Sequence, residues 1–114
     1  MKGLKESVIE NQILTWLYYQ KIWAWKNPSA GYYDQKRGKF RKHVSKFAIN
    51  GVSDIVGVHR GRPLFIECKA DSGRLTPDQK AFLERATREG ALAFVARNIG
   101  DVERELGLIG EAQP

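Results

Sequence analysis

The stretch SDIVGVHRGRPLFIECKA, residues 53–70, decides the fold. Its two apolar, β-branched runs, SDIVGV and PLFIECKA, flank the turn-forming HRGR, a pattern that predicts a β-hairpin folded through Gly61. Side chains alternate along a strand, so Glu67 and Lys69 share one face while Ile66 and Cys68 share the other. Folding the hairpin about Gly61 brings Asp54 opposite Glu67. Two opposed carboxylates repel, and burying a carboxylate and an ammonium in a strand that begins Leu64-Phe65-Ile66 costs several kcal/mol each unless they are paired or ligated. A divalent cation turns that penalty around, because hard cations such as Mg²⁺ take carboxylate oxygens. The competing reading is an ion pair, in which Lys69 does no more than neutralise the two acids.

Working outward from the hairpin, residues 4–21 read as an amphipathic helix with Ile9, Ile13, Leu17 and Trp16 near one stripe. IWAW (22–25) is a short strand stopped by Asn27-Pro28, and a loop at about 27–50 separates it from the hairpin. Thr76-Pro77 opens a second helix, with Thr76 as N-cap and Pro77 at the first helical position, and Gly90 closes it. ALAFVA (91–96) is a continuous apolar strand of the kind covered on both faces. Asp101 is placed to cap a last short helix ending near Gly107. The resulting order, α-β-β-β-α-β-α without internal repeats, predicts a single α/β domain over 1–114 with helices packed on a sheet.

Composition narrows the setting. The chain has 114 residues, 42% hydrophobic and 28% charged, with one cysteine and two histidines. That is the balance of a soluble globular domain. No apolar run approaches the roughly 18 residues of a membrane span, and the N-terminus lacks a signal-peptide pattern. A lone Cys68 excludes an internal disulfide and a cysteine zinc site, which fits a reducing cytoplasm, and His43 and His59 are too scattered for a histidine metal cluster. The net charge of +6 is concentrated. Between Lys26 and Lys46 lie seven basic residues (Lys26, Lys36, Arg37, Lys39, Arg41, Lys42, Lys46) and one acid, Asp34, while the remainder balances at twelve against twelve. Interleaved with Tyr32, Tyr33 and Phe40 and broken by Gly31 and Gly38, this segment suits a phosphate backbone. A solvated, charged loop is the alternative.

Two further polar residues stand at the edges of apolar helix faces. Glu10 shares the spacing of Ile13, Leu14 and Leu17 and, taken by itself, reads first as a solvated surface glutamate. Gln79 begins the face of Phe82, Leu83 and Ala86, and Thr76-Pro-Asp-Gln79 also fits a capping box. Asp71 and Asp78 read as turn and helix-start acids.

With these residues assembled, GVSDIVGVHRGRPLFIECKADSGRLTPDQKAFL (51–83) resembles the core of the VRR-NUC family, a branch of the PD-(D/E)xK nuclease superfamily. The superfamily signature of an acid, a spacer and acid-x-lysine falls on Asp54 and Glu67-Cys68-Lys69. The family's further glutamine falls on Gln79 and its N-terminal helical glutamate on Glu10. The resemblance runs from the first helix to FVAR at 94–97. It implies a restriction-endonuclease-like core, a mixed central sheet flanked by helices, with Mg²⁺ or Mn²⁺ as cofactor. It further implies that Asp54, Glu67, the Cys68 carbonyl and Glu10 hold the metal. Lys69 would orient or deprotonate the attacking water, and Gln79 would position water or Lys69. The Cys68 side chain points to the core and reads as packing. Minimal family members resemble virus-type resolvases, so the resemblance implies a homodimer acting on branched DNA, four-way (Holliday) junctions above all, in a prokaryotic or phage-infected cytoplasm. Flap or linear-duplex cleavage, and a non-catalytic DNA-binding module, are the alternatives.

Overall fold

The computed structural model describes residues 3–28, 32–41 and 45–108. Its elements in chain order are α1 (Glu6–Tyr19), β1 (Trp23–Lys26), β2 (Tyr32–Asp34), β3 (Lys39–Arg41), β4 (Ile55–His59), β5 (Arg62–Cys68), α2 (Pro77–Arg88), β6 (Leu92–Ala96) and α3 (Ile99–Glu105). Four strands form one sheet in the order β1-β4-β5-β6. The β1–β4 and β4–β5 pairs are antiparallel, and β5–β6 is parallel. Parallel neighbours need a crossover, and α2 supplies it. The sheet is therefore mixed, with three helices about it, an α/β architecture consistent with a restriction-endonuclease-like core.

The hairpin takes the expected register. Ile55 pairs with Ile66 and His59 with Arg62. The two residues between, Arg60 and Gly61, both have positive φ, 50° and 79°. That is the two-residue primed turn whose twist matches that of paired strands. Continuing the register one step beyond Ile55 sets Asp54 against Glu67.

Alternation then divides the sheet. On one face Ile55, Leu64, Ile66, Cys68, Phe94 and Ala96 pack with Ile9, Ile13 and Leu17 of α1 and Val102 and Leu106 near α3. On the other, Phe65 meets Phe82 of α2 edge to face at 5.0 Å between ring centroids. Helix α2 covers only the β5–β6 half, so Trp23 (71% exposed) and Val58, paired across β1 and β4, stay in solvent.

Two local readings change. The basic segment is not loop throughout: Tyr32–Asp34 and Lys39–Arg41 pair as a separate antiparallel hairpin, turning with Gly38 at φ 64°. Its strands are three residues each, too short for alternation to show in the sequence. The cap of α3 is Asn98, whose side chain accepts from the Asp101 N–H at 2.8 Å. Asp101 sits inside the first turn and accepts the Arg97 N–H. Among the described residues no helix is long and apolar enough to cross a membrane.

Candidate active site

Asp54 is placed by the glycine three residues before it. Gly51 has φ +81°, and a Cβ there would lie 2.4 Å from the Asp78 carbonyl, so the 51–54 segment can lie against the first turn of α2 only with glycine at that point. From this position the Asp54 Oδ2 accepts the Cys68 N–H at 2.8 Å. The Asp54 carbonyl accepts the Asn27 N–H at 2.7 Å. Asp54 thus ties the end of β1 to the end of β5.

Glu67 is 2% exposed and Lys69 7%. The Lys69 Nζ stands 3.6 Å from Glu67 Oε2, and the Gln79 Nε2 donates to that same oxygen at 3.2 Å. Glu67 Oε1 is buried with no hydrogen-bond partner among the described residues. Burial, and then the neighbouring Asp54 carboxylate, push the Glu67 carboxyl up to about 8 against the opposing pull of Lys69. The expected crowding of two carboxylates is present, and Lys69 offsets only part of it.

Gln79 forms the capping box and also reaches Glu67, where the resemblance implied water or Lys69. Its Oε1 accepts the Thr76 N–H at 2.9 Å while its own N–H donates to the Thr76 hydroxyl at 3.1 Å, completing the capping box. The remaining amide nitrogen is the one that reaches Glu67. The cap therefore fixes the amide orientation that the site uses.

Glu10 is 8% exposed, so the solvated alternative does not hold. It rises from α1, which packs on the Cys68 face of the sheet, and its Oε1 lies 3.5 Å from the Lys26 Nζ. Cys68 is fully buried in the core, and burial first, then Asp54, Glu10, Glu67 and Glu6, raise its thiol far above the ordinary value. It stays protonated, a packing residue and no nucleophile.

These groups suit a hard cation. The donors are oxygens, and among the described residues Glu67 Oε1 and Glu10 Oε1 are buried without a hydrogen bond. Glu10 Oε1 has the Lys26 ammonium at 3.5 Å, whereas a buried carboxylate oxygen without a partner, as Glu67 Oε1 is, is costly. Among the described residues no three His, Cys, Asp or Glu side chains form a complete cage. The side-chain donors facing one another are Asp54 and Glu67, with Glu10 drawn toward Lys26.

A polar cleft of about 610 Å³ opens beside the acids, lined among others by Asn27, Asn50, Asp54, Thr76, Asp78 and Gln79. Of the basic residues, Lys36 and Arg37 lie exposed in the β2–β3 turn, Lys39 and Arg41 belong to β3, and Lys46 is exposed on the segment leading to the cleft. Lys42 and His43 fall outside the described residues. Asp71 is an exposed turn residue and Asp78 an acid in the first turn of α2. Sequence reasoning counted Lys26 only as one charge of the basic segment. Its approach to Glu10 depends on where α1 lies across the sheet, which no local pattern encodes.

The mixed sheet thus sets Asp54, just before β4, beside Glu67-Cys68-Lys69 at the end of β5, within an α/β fold. The family profile of the VRR-NUC domain matches residues 32–98, more than half of the chain. A solved structure described as "VRR_NUC domain protein" is 26% identical, with a TM-score of 0.65, over 93% of this chain and 88% of that one. No curated protein matches. The chain belongs to the VRR-NUC family.

Proposed function

We propose that this protein is a metal-dependent, structure-selective DNA endonuclease that hydrolyses phosphodiester bonds, cutting four-way junctions as a homodimer. The observation that carries the reading is the Asp54-Glu67-Lys69 group: Glu67 and Lys69 are buried, Glu67 Oε1 has no hydrogen bond among the described residues, and Asp54 lines a polar cleft. An ion pair alone leaves that oxygen unexplained.

In this reading Asp54, Glu67 and the Cys68 carbonyl hold Mg²⁺ or Mn²⁺, with Glu10 as a further carboxylate. The cation, when bound, supplies an activated water and withdraws charge from the phosphoryl oxygens. Lys69, held beside Glu67, orients or deprotonates the attacking water and stabilises charge developing on the phosphate. Gln79 fixes the Glu67 carboxylate from α2. Lys36, Arg37, Lys39, Arg41, Lys42 and Lys46 neutralise the DNA backbone. The exposed aromatics Tyr18, Tyr19 and Trp23 support the dimer, since together they leave a broad apolar surface in water.

The test is a panel of matched four-way, flap, linear duplex and single-stranded DNA in Mg²⁺. Symmetric nicking of four-way junctions is expected, abolished by chelation and by Asp54→Ala or Glu67→Ala, with DNA binding retained in both variants. Cutting at full rate in EDTA overturns the site. Preference for flaps or linear duplex replaces the junction reading, and binding without cutting on every substrate leaves a DNA-binding module.

A further inference from the structure

We infer that an apolar groove beside the cleft receives one unstacked nucleobase of the substrate. This inference rests on the nuclease reading above and adds how the protein recognises irregular DNA. The groove holds about 520 Å³ and lies between the 49–50 segment and α2. Its apolar lining includes Ile49, Pro63, Phe65 and Phe82, and Asn50, Asp78 and Arg85 stand in the same wall. A base outside the helix presents a flat heteroaromatic face and a hydrogen-bonding edge, which an apolar pocket with a few polar groups can take up.

Position selects a nucleobase over other apolar occupants. Ile49, Asn50 and Asp78 line both this groove and the polar cleft that contains Asp54 and Gln79, so the two adjoin. A strand whose phosphate reaches Asp54 therefore has a base within reach of the groove. The same segment leaves Ile49 67% and Phe47 82% exposed, and the Lys46 Nζ lies 5.2 Å from the Phe47 ring centroid. Apolar faces set beside a cation are the combination that single-stranded nucleic acid uses, stacking for the base and charge for the backbone. Fully paired duplex has no free base to place there. Flaps, gaps and unpaired nucleotides do. At a four-way junction the pairs beside the crossover have lost a stacking neighbour and release a base at lower cost than continuous duplex, so the groove favours irregular DNA.

Binding in EDTA isolates this step from cutting. Three short DNAs are compared: a duplex with one unpaired 2-aminopurine, the same duplex with an abasic unit in that place, and the fully paired duplex. The protein is expected to bind the first roughly ten-fold more tightly than the other two, with a change in 2-aminopurine emission. Ala81→Trp, which fills the groove from an exposed position on α2, should abolish the preference and the emission change and leave affinity for paired duplex unaltered. Ile49→Ala should reduce the preference in the same direction and serves if the tryptophan variant does not fold. Equal affinity for the base and the abasic unit overturns the proposal. So does a preference that survives Ala81→Trp, or a loss shared equally by paired duplex. A change in sedimentation on Ala81→Trp with the preference intact would assign the groove to contact between copies and overturn it too. Because cutting in Mg²⁺ is scored separately, failure of the groove with cleavage intact leaves the nuclease reading in place.

Discussion

Lys69 and Glu67 face each other at 3.6 Å with almost no solvent access, and each carries a distinct expectation. Lys69→Ala removes a cation that competes for the Glu67 carboxylate, so cleavage should be lost while Mg²⁺ affinity, measured by calorimetry, is equal or higher. A merely structural lysine would give a poorly folded variant or an active one. Glu67 makes stability depend on pH. Its carboxyl rises from an ordinary 4.5 to about 8, so the folded protein binds more protons than the unfolded chain between those values. The resulting stabilisation is complete below about 4.5 and is lost as pH rises through about 8. Urea titrations of metal-free protein should therefore show stability falling across that window, with the slope reduced in Glu67→Gln. Added Mg²⁺ should counter the fall, since the cation favours the ionised carboxylate.

At the scale of elements, the start of α2 joins folding to the site. Thr76→Ala removes one cap acceptor and should cost about 1 kcal/mol of stability with modest loss of cleavage. Gln79→Ala keeps the backbone N–H that Thr76 caps but removes the reciprocal half of the capping box together with the hydrogen bond to Glu67, so at matched stability its cleavage should fall further. Equal activity in the two variants at matched stability would confine Gln79 to capping. The β2–β3 hairpin and the segment after it hold the chain's surplus positive charge. Replacing Arg37, Lys39, Arg41 and Lys42 with Ala should weaken DNA binding and flatten its salt dependence, by about 0.9 in logarithmic slope for each phosphate no longer neutralised. An unchanged slope would make these residues solvated decoration.

For the whole molecule, the proposed junction cutting requires two cuts from chains that carry one site each. A closed twofold pair presents two sites with the fewest distinct contacts. The half of the sheet that α2 leaves uncovered offers Trp23 and Trp25, 5.1 Å between ring centroids, with Tyr18 and Tyr19 at the end of α1 nearby in sequence. Sedimentation is expected to show a stable homodimer, and Trp23→Glu should shift it toward monomer and uncouple the paired nicks. A monomer that still cuts junctions symmetrically would refute this and favour flap or linear-duplex cleavage.

The sequence alone determined the hairpin, its register and the cap of α2, because each rests on contacts only a few residues apart. Alternation, a turn glycine and the Thr76-Pro77-Asp78-Gln79 order encode them locally. It also determined that Asp54, Glu67 and Lys69 share a strand-end neighbourhood, since a hairpin register is a short-range fact. The short β2–β3 pair was illegible, as three residues cannot show a period. The Asn98 cap was hidden by Asp101, an equally good capping residue three positions away. Tertiary structure alone decided the fate of Glu10, buried where α1 crosses the sheet and met by Lys26. Among the described residues it alone left Glu67 Oε1 without a hydrogen bond and set the apolar groove beside the cleft. Those outcomes depend on how α1, the sheet and α2 pack across long separations, and a spacing pattern along one segment carries no information about what a distant segment lays against it.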